Sequence, residues 1–212
     1  MDVVVAGGHG QIAQHLLRLL AQRGDRARGL IRNPDQAADL EALGAEAVVC
    51  DLEKERNLST YLQGADAVVF AAGAGPGSGD ERKRTVDLGA AVKVIEAAQA
   101  LGIRRYVMVS AIGADDPESA DEKMRPYQQA KADADAALEA AGLDHTVVRP
   151  GMLTDAQGKG SVSAGPEAER DEVTREDVAA VLAAVLNADN TIGKTFVLVQ
   201  GETPIEEAVA AI

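Results

Sequence analysis

The chain has 212 residues, enough for one α/β domain with a sizeable core, and its 46% hydrophobic and 26% charged residues are the balance of an ordinary globular protein. A formal net charge of −13, with two Phe, three Tyr and no Trp, argues against a nucleic-acid partner: phosphates are repelled and stacking platforms are scarce. The lone Cys50 rules out an internal disulfide, and with no basic leader and no apolar run of about 18 residues the expectation is a cytoplasmic protein without a membrane partner, monomeric or homodimeric.

The first strand is predicted at 2–6, followed by the glycine stretch of VVVAGGHGQIA and a helix over about 10–23. RARGLI (26–31) reads as the second strand, and PDQAADLEALG as a helix with Pro34 at its start and Gly44 at its end. AEAVVCDL (45–52) is the third strand, and Cys50 within it reads as a buried core thiol. A short helix near 55–63 and the fourth strand, 66–73, come next. A long helix over 80–101, stopped by Gly102, leads to the fifth strand, 104–111. Helix 123–141, strand 144–151, helix 174–188, strand 194–201 and a short helix in TPIEEAVAAI complete the chain.

The strands are continuous apolar runs, as in a parallel sheet covered on both faces. Seven of them alternating with helices predict an α/β doubly wound (Rossmann) sheet, strand order 3-2-1-4-5-6-7, in a single domain spanning 1–212 with short C-terminal substrate-side loops. The irregular stretches 74–80, 112–122 and 152–173 follow strands four, five and six, where ligands bind in such folds. The last of them is polar and Gly-rich, either a lid or a surface loop.

Gly7, Gly10 and Ala13 fit G-x-x-G-x-x-A between a strand and a helix, the context of a dinucleotide cradle. Glycine lets the backbone approach a pyrophosphate, and the helix N-terminus offers unpaired N–H groups over Gly7, Gly8, His9, Gly10, Gln11 and Ile12. An NAD site usually carries an acid about 20 residues further on. Here the second strand ends in GLIRNP, and Arg32 suits a 2′-phosphate, so NADP is expected over NAD. Asp51 and Leu52 are placed beside the adenine, and Ala71, Ala72 and Gly73 along the cofactor wall. The three histidines lack metal-ligand spacing, so no metal is expected.

Ser110 ends the fifth strand, and Tyr127 and Lys131 form Y-x-x-x-K, one face of a helix. A neighbouring ammonium is expected to lower the tyrosine's pKa, so that the phenol exchanges a proton with a substrate oxygen that Ser110 also binds. Lys131 is also within expected reach of the cofactor ribose. With the glycine loop and VVRPGMLT, containing Pro150 and Gly151, these motifs resemble the short-chain dehydrogenase/reductase superfamily. The likeness is closest to its small atypical, NmrA-like and epimerase-like members and covers nearly the whole chain. The resemblance implies an NADP-preferring oxidoreductase acting on a small carbonyl or alcohol through Ser110, Tyr127 and Lys131. The alternatives are a non-catalytic NADP-binding redox sensor and a flavin or quinone reductase. Two departures stand out: AAGAG replaces the family's asparagine-glycine pair, and Asp87 is the nearest polar residue to the relay asparagine of the long helix.

Overall fold

Val3, Val4, Val5 and Ala6 are each fully buried, which requires packing on both faces of the strand they form. The computed structural model, which describes residues 1–75, 77–166 and 168–212, provides it. Strand β1 (Asp2–Ala6) sends Val3 and Val5 to one face, against Leu16, Leu17 and Leu20 of α1 (Gln11–Gln22) and Val178 and Leu182 of α7 (Arg175–Val185). Val4 and Ala6 face the opposite layer, with Val94 and Ile95 of α5 (Ala91–Leu101) and Ala134 and Leu138 of α6 (Arg125–Ala140). This period-2 division puts an aliphatic core on each side of the sheet, where every fully buried Val or Leu contributes about 1.5–3 kcal/mol.

The remaining strands are β2 (Arg26–Ile31), β3 (Glu46–Val49), β4 (Ala67–Phe70), β5 (Arg105–Val109), β6 (Asp144–Pro150), β7 (Met152–Thr154), β8 (Ser161–Gly165), β9 (Glu172–Thr174), β10 (Lys194–Gln200) and β11 (Thr203–Pro204). The main sheet runs β11-β8-β10-β6-β5-β4-β1-β2-β3. Its seven parallel strands, β3-β2-β1-β4-β5-β6-β10, stand in the order read from the sequence. The fold is thus a single α/β domain of the Rossmann type.

The structure corrects the reading of residues 152–173 as irregular. They carry β7, which pairs with β9 in a small parallel sheet, and β8, which adds antiparallel to β10 and is joined there by β11. Three successive backbone N–H groups between, at Gly158, Lys159 and Gly160, donate to the carboxylates of Glu176 and Asp177 at 2.9, 3.0 and 2.9 Å, anchoring this segment to the first turn of α7.

Two other elements differ from expectation. The short helix near 55–63 is confined to α3 (Ser59–Leu62). The preceding loop wraps instead around the ammonium of Lys93, which donates to the carbonyls of Leu52, Glu53 (3.2 Å) and Glu55 (2.9 Å). The long helix is continuous from α4 (Asp80–Arg82) into α5, but Lys83–Ala90 between them is π-helical, a local widening often found at functional sites. Cys50 is buried as expected, and burial pushes its thiol up to about 12.

Candidate dinucleotide site and Ser-Tyr-Lys cluster

The glycine loop leaves β1 through Gly7 at φ 83°, where a Cβ would lie 2.6 Å from the Cα of Ala72. Gly8 is not in the left-handed region, and its constraint is contact: a Cβ there would lie 2.7 Å from the Cα of Gly29 in β2, to which the loop is tied by Gly8 N donating to Leu30 O at 2.8 Å. Gly10 is the N-cap of α1 and supplies no side-chain cap, so the first-turn amides at Gln11 and Ile12 keep the donor character that anions use. Ala13, fully buried, lets the helix lie close on the sheet.

A cleft of about 450 Å³ opens beside this loop. Gly7, His9 and Gly10 line it from the loop, Arg32 from the end of β2, Asp51 and Leu52 from the end of β3, and Ala71, Ala72 and Gly73 from the end of β4. Nine of the residues picked from the sequence for a cofactor therefore share one cleft. Gly8, Gln11, Ile12, Lys131, Pro150 and Gly151 do not line it. Gly151 instead lies under the chain, its Cβ position 2.0 Å from the carbonyl of Asp171. The Gln11 amide donates to Asp155 at 3.2 Å. The His9 ring is tied to Asp39 at 2.8 Å and to Gln36 at 3.0 Å.

The cleft is also lined by Glu53 and Arg82, which were not selected from the sequence. Glu53 places one carboxylate oxygen 3.4 Å from Arg32 Nη1 and 3.5 Å from Arg82 Nε, and its other oxygen accepts from Thr85 Oγ1 at 2.8 Å. The strand end of β2 has no acid of its own, yet the loop after β3 brings one to Arg32. Asp51 is turned onto its own loop. Burial acts to raise its pKa, but bonds from the Lys54 ammonium and the backbone N–H groups of Glu53 and Lys54 outweigh it and leave it lowered.

Ser110 follows β5 and is 3% exposed. Tyr127 and Lys131 occupy successive turns of α6, and the Lys131 ammonium lies 5.9 Å from the centroid of the tyrosine ring. Lys131 Nζ donates to Val109 O at 3.2 Å and pairs with Asp87 Oδ1 at 3.2 Å. Asp87, fully buried in the π-helical stretch, accepts from the N–H of Ala74 at 3.2 Å and so connects the cleft wall to the lysine.

The Ser110 hydroxyl is engaged within the protein: Oγ donates to Asp135 Oδ2 at 2.8 Å, and Arg149 Nη2 holds the same oxygen at 3.0 Å. One expectation is corrected. Lys131 does not depress the tyrosine's pKa on balance. Burial raises it, Asp87 and Asp135 add to the rise, and Lys131 opposes them only in part. Asp135 was missed although its spacing was available: it lies four residues after Lys131, on the face that already holds Tyr127. Burial raises its carboxyl above the usual range despite Ser110, Arg149 and Lys131.

A glycine loop at the first strand end and a cleft across the neighbouring strand ends define an NAD(P)-binding protein of the Rossmann type. Sequence comparison agrees: the profile described as NAD(P)H-binding matches residues 7–189, and the chain belongs to that family. It is similar to the sugar epimerase YhfK of Bacillus subtilis, itself uncharacterized, at 43% identity over 99% of both chains. A Saccharomyces cerevisiae protein, UPF0659 protein YMR090W, is 33% identical over 100% of this chain and 99% of its own. A solved structure from Bacillus halodurans, named as an NAD-dependent epimerase/dehydratase, superposes with a TM-score of 0.96 at 39% identity, covering 100% of each chain. Among the described residues no helix is long and apolar enough to cross a membrane.

Proposed function

We propose that the protein is an NADP-preferring oxidoreductase acting on a small carbonyl compound or alcohol, with Tyr127 as the proton-transferring group. The observation that carries this reading is the Asp87–Lys131 pair, 0% and 5% exposed, set behind Tyr127 and joined to the cleft wall through Ala74. Burying two charges costs desolvation that an apolar pair of equal volume avoids, so stability alone gives little reason for it. A fixed ammonium beside a phenol has a use in moving a proton.

The residues present fit a dinucleotide. The side-chain-free backbone at Gly7, Gly8 and Gly10 suits the pyrophosphate, with Gln11 and Ile12 at the helix start. Asp51 and Leu52 flank the adenine, Ala71, Ala72 and Gly73 leave room along the wall, and Arg32 meets a 2′-phosphate. When bound, the nicotinamide supplies hydride transfer. Tyr127, kept protonated by its raised pKa, donates to the substrate oxygen in the reducing direction. Lys131 lies beside the phenol, and Ser110, its own proton committed to Asp135, offers lone pairs to a substrate or tyrosine hydroxyl. NADPH consumption against a panel of aldehydes, ketones and quinones tests the reading. Turnover confined to quinones would move it to a ring reductase, and binding without turnover to a redox sensor.

Arg32→Ala is expected to weaken NADP by about 1–2 kcal/mol and leave NAD little changed; the low end of the range for a charge-assisted bond applies because the guanidinium is largely in water. Equal losses for the two cofactors in a calorimetric titration would remove Arg32 from phosphate recognition.

A further inference from the structure

We infer that Glu53 selects between the two nicotinamide cofactors by competing with the 2′-phosphate for Arg32 and Arg82. This rests on the dinucleotide reading of the cleft. Two guanidiniums and a hydroxyl converge on one carboxylate: Arg32 at 3.4 Å, Arg82 at 3.5 Å and Thr85 at 2.8 Å. Such a donor set suits an anion, and a phosphate presents more oxygens and more charge to it than a carboxylate does. The Glu53 side chain is 27% exposed and those of Arg32 and Arg82 are 57% and 41% exposed, so both cations remain open to an incoming anion.

Glu53 has a fixed backbone. Its N–H donates to Asp51 Oδ1 at 3.1 Å and its carbonyl accepts from Lys93 at 3.2 Å. A 2′-phosphate approaching the arginines meets a competing charge that yields by side-chain rotation alone. NAD, with a hydroxyl at that position, makes no claim on the arginines and leaves the Glu53 contacts in place. Arg82 thereby joins Arg32 as a reader of the 2′-phosphate, although it comes from the start of the long helix. Glu53 sets how strongly the pair prefers NADP.

Glu53→Gln keeps the size and the contact with Thr85 and removes the charge. Titration of the full chain with NADP and with NAD should show the NADP dissociation constant falling about two- to fivefold, the range set by partly exposed charge pairs, and that of NAD unchanged. The gain should shrink as salt is raised, because these groups face solvent. Glu53→Ala, with its melting temperature checked, should repeat the direction. A weaker NAD complex with NADP unaffected would make Glu53 a ribose-hydroxyl acceptor and overturn the proposal. Unchanged binding of both would place it outside recognition altogether. If the parent protein bound neither dinucleotide, the cleft reading itself would fall, and the proposal with it.

Discussion

Tyr127→Phe should lower turnover on a carbonyl substrate by about 10²–10⁴-fold, the usual contribution of a positioned proton donor, while NADP affinity stays at the parent value. The substitution keeps the ring over which Lys131 lies and removes only the hydroxyl. The pH profile separates this site from one with a lysine-depressed tyrosine. Burial raises the Tyr127 pKa above that of an ordinary phenol, with Asp87 and Asp135 adding to the rise against Lys131. The protonated donor therefore persists through neutral and mildly alkaline pH, and carbonyl reduction should hold a plateau there, declining only above the ordinary tyrosine range near 10. Loss of activity already between about pH 7 and 8 would show that the lysine dominates after all. Parent-like carbonyl turnover in Tyr127→Phe would remove the tyrosine from the chemistry.

Arg149→Met should destabilise the fold by about 3–5 kcal/mol at neutral pH, the cost of leaving a buried charge without its partner. Arg149 holds Asp135 through Nε at 3.1 Å and Nη2 at 3.0 Å, and the carboxylate is 3% exposed. The pH dependence carries its own sign. Burial raises the Asp135 carboxyl in the folded protein above its unfolded value. Its contribution to stability is therefore fully present below the unfolded pKa and is lost as pH rises through the folded one. Removing Arg149 raises the folded pKa further, so the deficit should be small in acid and grow toward neutrality. Urea unfolding of parent and variant at several pH values measures it. Arg149→Met combined with Asp135→Leu should regain most of the loss, and a deficit independent of pH would assign it to packing alone.

The parallel strands were legible because burial on both faces demands unbroken aliphatic runs such as Val3–Val4–Val5. Strand β8 was not: in Ser161–Gly165 only Val162 is buried, since an added strand near the sheet edge needs little apolar surface. The π-helical stretch has no residue signature separating it from the helix on either side. At the cleft, the glycine spacing and Arg32 were readable because they are local in the chain. Glu53 and Arg82 were not, because their meeting depends on two different strand-to-helix connections arriving at one place. Asp135 sits in AKADADAAL, where alternating acids look like a solvated helix face, and its burial emerges only when Arg149 arrives from β6.

The contact between Gly8 and Gly29 makes the glycine loop a property of two strands. Gly29 is itself hemmed in, since a Cβ there would lie 2.4 Å from Leu40 and 2.9 Å from Leu17, so neither glycine can be enlarged to compensate for the other. A graft of residues 7–13 onto another Rossmann scaffold would therefore carry only half of the fitting. The recipient must also offer a bare position in the middle of its second strand, or the loop would ride up off the sheet and take its amides with it. Whether such a loop is portable is decided one strand away from the motif by which it is recognised.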